Sequence, residues 1–282
     1  MKMLSYKSYF LFLLTLSLLM PSCQKESFKS KKGNQRVESR NFSLYLLAEL
    51  AHKDWNGTIS ISNRKLFGAE EAVVNSEGTN VRATFLDNFH DGRISEGKLA
   101  ITAAESTSLD ILPDERHVYR TGREGSNTVK SFYGKEISLT LEGAAPDSGP
   151  VFSKSLDIPT PIFVTNPVLG NIFTTSINRG FDLIWNPDAG NEKGIFILID
   201  FDPGSPFNSS FEGMDRVNSV LHVEDTGFYP LTEEHFAGTP SGARVDLIVG
   251  RGEYTQAVDS ATQEKEYLIY SYTVAIGRIT LE

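Results

Sequence analysis

From residue 57 onward the chain alternates apolar and polar residues in short runs broken by turn-forming residues. Strict alternation places every second side chain on one face and marks a half-buried strand. Gly57–Ser62 has Ile59 and Ile61 on one face, and Asn80–Leu86 sets Val81, Ala83 and Phe85 against Asn80, Arg82 and Thr84. Gly97–Thr102 and Lys135–Glu142 repeat the pattern, the latter with Ile137, Leu139 and Leu141 inward. Farther on, Phe181, Leu183 and Trp185 alternate with Asp182 and Ile184. Gly194–Asp202 sets Ile195, Ile197, Ile199 and Phe201 against Phe196, Leu198, Asp200 and Asp202. Asn218–Glu224 and Arg244–Val249 follow, and Glu266–Leu281 reads as two strands or one strand bent at Gly277. Ser43–Leu50 fits a strand or one to two helical turns.

Clusters at Asn75–Asn80, Asp87–Gly92, Leu112–Glu115 and Thr121–Asn127 read as turns between strands. Short strands at regular spacing predict an all-β chain of antiparallel sandwiches. Pro159 and Pro161, at alternate positions in Ile158–Ile162, cannot sit in a central strand and mark the expected boundary. The expectation is two tandem immunoglobulin-like β-sandwich domains, 41–157 and 158–282, with Trp185 packed by aliphatic residues from neighbouring strands.

The N-terminal pattern differs. Lys2 and Lys7 precede the uncharged run Tyr9–Met20, which at 12 residues is shorter than the roughly 20 a membrane-spanning helix needs. It is built like an export signal. The run closes on Leu19-Met20-Pro21-Ser22-Cys23, which resembles the lipobox of bacterial lipoproteins. The resemblance implies removal of residues 1–22 and lipidation of Cys23, with membrane lipid as the anchor's partner and the outer membrane as location. Met20 and Pro21 depart from the commonest lipobox residues. Cys23 is the single cysteine, so an internal disulfide is impossible and the fold depends on burial and hydrogen bonds.

Residues 23–40 read as a flexible tether, poor in apolar residues, with a reach of roughly 20–25 Å. Cys23-Gln24-Lys25-Glu26-Ser27 is similar to surface-export signals of Bacteroidetes lipoproteins, which implies display on the cell surface. The whole chain carries a formal charge of −9; without Lys2 and Lys7 this becomes −11, and because 24–40 is net +4, the body from Asn41 is −15. So acidic a body has no basic footprint for nucleic acid.

Phe152-Ser153-Lys154-Ser155-Leu156 and the stretch Gly180–Gly194, with its Trp-bearing strand and Asn186-Pro187-Asp188 turn, resemble a group of Bacteroidetes surface and outer-membrane lipoproteins with tandem β-sandwich domains. That resemblance implies the fold and an envelope location, and brings no catalytic residue.

The chemistry the residues suggest is sparse. Asp188, Asn191 and Glu192 crowd one loop, and oxygen-rich loops of this kind hold Ca²⁺, although Asn-Pro-Asp is also plain turn chemistry. The five histidines lack the helical spacing of a zinc protease. No Gly-x-Ser-x-Gly, phosphate loop or dinucleotide fingerprint is present. Paired carboxylates of a glycan-processing enzyme remain an alternative, because the body holds 34 acidic residues. Phe207, Phe211, Phe228 and Tyr229 fall in expected loops, where aromatics stack on sugar rings or plug sandwich ends. Asp259-Ser260-Ala261 resembles the Bacteroidetes O-glycosylation site, which implies a glycan on Ser260. Taken together, the expectation is a lipid-anchored, non-enzymatic binding, adhesive or assembly component, with a surface glycan or another envelope protein as partner.

Overall fold

The computed structural model describes residues 55–67, 79–86, 93–103, 107–121, 123–144, 149–167, 173–176 and 178–282. The expected signal, tether and Ser43–Leu50 element, with Cys23, lie outside them, as does most of Asn75–Asn80 and all of Asp87–Gly92.

Alternation becomes strand nearly everywhere it was expected. In order come β1 (Gly57–Leu66), β2 (Thr79–Leu86), β3 (Arg93–Ile94), β4 (Leu99–Ala103), β5 (Ser108–Ile111) and β6 (Val118–Arg120). A single α-helix among the described residues, α1 (Arg123–Lys130), replaces the turn expected over Thr121–Asn127. Its apolar anchor Val129, with Phe132 just beyond, is fully buried, so tertiary packing overrides local turn chemistry. Then follow β7 (Lys135–Glu142), β8 (Pro150–Ile158), β9 (Val164–Asn166), β10 (Phe173–Thr175), β11 (Phe181–Trp185), β12 (Ile195–Phe201), β13 (Val217–Val223), β14 (Phe228–Leu231), β15 (Arg244–Val258) and β16 (Glu266–Leu281).

The strands form one large sheet and two small ones. The large sheet has the order β13-β12-β15-β16-β1-β2-β3, with β6 also on β2 and β10 beside the end of β16. The small sheets are β14-β11-β9 and β5-β4-β7-β8. Each covers a different part of the same face of the large sheet, enclosing a core in a sandwich.

The spine is the β15–β16 ribbon. Its antiparallel register is unbroken from Arg244–Thr280 to Val258–Glu266, and a 15-residue strand is about 50 Å long. One expectation changes here and one alternative is settled. β15 continues through Gly250-Arg251-Gly252, where the alternation reads as finished, and β16 is one strand in which Gly277 pairs with Leu247. Register with the facing strand of the ribbon outweighs the weak strand preference of glycine at all three positions.

The first core draws on β1, β2, β4, β7 and β8, and takes Ala257, Tyr267 and Ile269 from the far end of the ribbon. The second draws on β9, β11, β12 and β14, and takes Val245, Leu247, Val249, Ala275, Ile279 and Leu281 from the near end. Core packing thus changes hands at residues 158–162, but the ladder crosses that division. β1 pairs in parallel with β16 from Gly57–Tyr267 to Leu66–Ile276, and Phe67 enters the second core. Described strands from both expected domains, 41–157 and 158–282, therefore lie in one sheet.

Candidate functional site

Where the two cores meet, the inner face of the ribbon turns polar. Arg251, Ser271 and Thr273 are fully buried there. The proline-bearing connection 157–162 crosses this waist, and the three side chains receive its backbone. Ser271 Oγ donates to Asp157 O at 3.2 Å, and Thr273 Oγ1 donates to Thr160 O at 3.3 Å and accepts from Ile162 N at 3.1 Å. Arg251 Nη1 donates to Thr160 O at 3.2 Å and Thr160 Oγ1 at 3.1 Å.

The rest of the Arg251 guanidinium holds Asp225, in the β13–β14 connection. Nε donates to Oδ2 at 2.5 Å and Nη2 to Oδ1 at 2.9 Å, and Nη2 also reaches Asn186 O. Asp225 receives two more donors, Trp185 Nε1 at 2.8 Å and Asn191 Nδ2 at 2.8 Å. Each carboxylate oxygen therefore accepts two bonds, which is what a buried carboxylate needs. With its acceptors and donors filled from within the chain, the node is a structural clasp.

Two of the residues expected near a cation belong to this clasp. Asp188 Oδ2 accepts from Thr160 Oγ1 at 2.7 Å, and its Oδ1 accepts from Gly190 N at 3.1 Å. Partial burial pushes the Asp188 carboxyl up, but these bonds and the Arg251 charge outweigh it and hold the group below its ordinary range. Asn191 divides its amide between Gly194 O and Asp225, and Glu192 is exposed. Among the described residues no three acidic, histidine or cysteine side chains converge as a metal site would require. Ser260 sits exposed in the β15–β16 turn, as expected of a modified residue, but its hydroxyl donates to Pro150 O at 2.6 Å.

The opposite face of the large sheet is organised in rows. Phe196, Leu198, Ile248 and Val274 form an apolar cluster, with Val220, Tyr254, Tyr270, Tyr272 and Ile276 half-buried around it. Phe196 lies over Gly250, where an added Cβ would come within 2.3 Å of its ring. Next comes a charged row in which Asp200 stands opposite Asp246, and Asp246 opposite Arg278. Arg216 grips Asp200 through two bonds, 2.8 and 2.6 Å, and Arg278 grips Asp246 at 2.7 and 3.1 Å. These pairs relieve the repulsion of two carboxylates set side by side. Phe207 caps the row, with Arg278 4.1 Å from its ring centroid.

Of the loop aromatics, Phe207 and Phe228 are 43% and 49% exposed, while Phe211 and Tyr229 pack against the second core. Tyr229 also bonds His235 at 3.2 Å. Reasoning from sequence alone overlooks Arg251 and Asp225. The signal was a charged residue between two glycines, followed in the next strand by Ser271 and Thr273 in an otherwise apolar run.

No protein-family model matches the chain. A stretch of 168 residues, 58% of the chain, is 27% identical to the trigger factor of Lactococcus lactis subsp. cremoris (strain SK11). The match spans 39% of that protein's length.

Proposed function

We propose that the chain is a lipoprotein of a Gram-negative envelope, anchored through Cys23 and acting by binding or assembly rather than catalysis. The observation that carries this reading is the uncharged leader run ending in Leu19-Met20-Pro21-Ser22-Cys23, with the chain's single cysteine at the lipobox position. The +4 segment after the cysteine adds attraction to anionic head groups. Ion pairs within the body include Asp200–Arg216, Asp225–Arg251, Asp246–Arg278, Glu96–Lys265 and Glu253–Lys193.

Growth with labelled palmitate tests the anchor: label and membrane fractionation are expected for the natural chain and lost in Cys23→Ala. Equal labelling of both would overturn the reading. The exposed Phe207 and Phe228 favour a surface glycan as a second reading of the partner. A glycan array probed with the protein, and with Phe207→Ala and Phe228→Ala, decides it.

A further inference from the structure

The exposed ring of Phe207 is held in place by the fold. It stands in the β12–β13 connection, which Asn208, a side chain 2% exposed, fastens to β15. Asn208 Nδ2 donates to Asp202 O at 3.0 Å and to Arg244 O at 2.8 Å, and its Oδ1 accepts from Arg244 N at 2.8 Å. Farther along, Phe211 packs edge-on against Phe201 of the second core, with ring centroids 5.9 Å apart. A buried amide bonded at both ends fixes the backbone on either side of it. Phe207 is thus presented in one place, and a ligand binding there orders little that is not already ordered.

Two guanidiniums lie beneath the ring. Arg244 and Asp246 are two apart on β15, and Arg278 stands opposite Asp246, so all three rise from the same outer face. The ring lies across both arginines, its centroid 4.1 Å from Arg278 Cζ and 5.6 Å from Arg244 Cζ, which leaves its other face outward. The arginines of this row differ in what they hold. Arg216 and Arg278 grip Asp200 and Asp246. Arg244 is bonded to Asn208 through its backbone, and no carboxylate of the described residues lies within ion-pair distance of its guanidinium. In a body of charge −15, an arginine without a carboxylate beside an exposed ring stands out.

An outward aromatic face stacks on the C–H face of a sugar ring, and a guanidinium takes a carboxylate through two parallel bonds. A uronic or sialic sugar carries both groups within one residue. We propose that Phe207 and Arg244 form a binding site for an acidic glycan, Phe207 stacking on a sugar ring and Arg244 pairing with its carboxylate. The assignment rests on the glycan reading of the partner and names the sugar class and the site. Phe228 is as exposed but faces Ile184 across the β11–β14 pair, and among the described residues no arginine lies at its ring.

A glycan array carrying uronic and sialic sugars beside their carboxyl-reduced counterparts, followed by titration of the glycans bound, tests the site with the full chain. The natural chain is expected to bind an acidic glycan about tenfold or more tightly than its reduced counterpart, as a charge-assisted pair provides. Arg244→Gln is expected to bring the two affinities together; it leaves the Asn208 bonds in place, because these use the backbone of residue 244. Phe207→Ala is expected to weaken both about two- to tenfold, and Phe228→Ala to change neither. Equal binding of acidic and reduced forms by the natural chain overturns the proposal while leaving a glycan partner standing. So does a loss of binding through Phe228→Ala but not through Phe207→Ala. A chain that binds no sugar on the array overturns the site and the glycan reading together.

Discussion

Arg251 and Asp225 face each other with side chains 0% and 2% exposed, and together they tie the β13–β14 connection to the middle of β15. A pair this deep gains little over a well-packed apolar replacement, because both ions lose their hydration. Removing one partner is a different matter, since the other charge is then stranded. Arg251→Met and Asp225→Leu are each expected to lower unfolding free energy by about 3–5 kcal/mol in urea titrations. The double variant is expected to lose much less than the sum, and a strictly additive result would show that the two side chains act independently.

Gly250 and Phe196 make a second coupled pair on the opposite face. A Cβ at residue 250 would sit 2.3 Å from Phe196 Cζ and 2.8 Å from Val274 Cγ1. The backbone there imposes no need for glycine; the close ring does. Gly250→Ala is expected to cost about 1–3 kcal/mol as overpacking. Combining it with Phe196→Leu should recover part of that loss, as measured by thermal melting of the four proteins in the cycle.

The parallel ladder of β1 on β16 predicts that residues 1–157 do not fold alone. That fragment would lack β16, one of the two strands beside β1, and the Ala257, Tyr267 and Ile269 side chains of its own core. It is expected to be digested quickly by protease, whereas co-expression with 158–282 should restore resistance.

Strand positions were legible because burial on one face of a sheet writes itself into every second residue. Ile195, Ile197, Ile199 and Phe201 line the second core while Phe196 and Leu198 face away, as alternation alone demands. What alternation cannot carry is pairing between strands distant in sequence. Nothing local in Gly57–Leu66 says that its neighbour is Tyr267–Ile276, so the shared sheet was invisible. The clasp was hidden for a related reason. Asp225 follows Val223 and Glu224 as an ordinary loop residue, and only the fold brings Trp185, Asn191 and Arg251 to it. The loop Asn186–Glu192 did announce polar chemistry, but Asp188 and Asn191 spend it on backbone and on Asp225.

Asp188 sets an acid limb. Its carboxyl lies below the ordinary range in the folded chain, so its stabilising bonds are fully present above the unfolded value, about 3.9, and are lost as pH falls through the depressed folded value. Asp188→Asn keeps an acceptor for Thr160 but gives up the charge facing Arg251. The variant is expected to be less stable at neutral pH by about 0.5–1.5 kcal/mol and to lose less on acidification, so that the two stability curves converge below about pH 4.

Tyr270 sets the alkaline limb. Burial pushes its hydroxyl up to about 12, with the neighbouring Tyr272 adding to the rise and Ser60 and Arg82 opposing it. Because the folded value exceeds the unfolded one of about 10, the contribution is complete below pH 10. It is then lost as pH rises through the folded value, where ionisation favours the open chain. Absorbance at 295 nm is therefore expected to be still rising toward pH 12, where Tyr270 ionises. Tyr133 and Tyr267 are also raised by burial and add to the late rise. Tyr270→Phe should remove part of the late absorbance change and flatten the loss of stability between pH 10 and pH 12. If the variant's alkaline curve overlays that of the natural chain, Tyr270 ionises as freely in the folded sheet as in the unfolded chain.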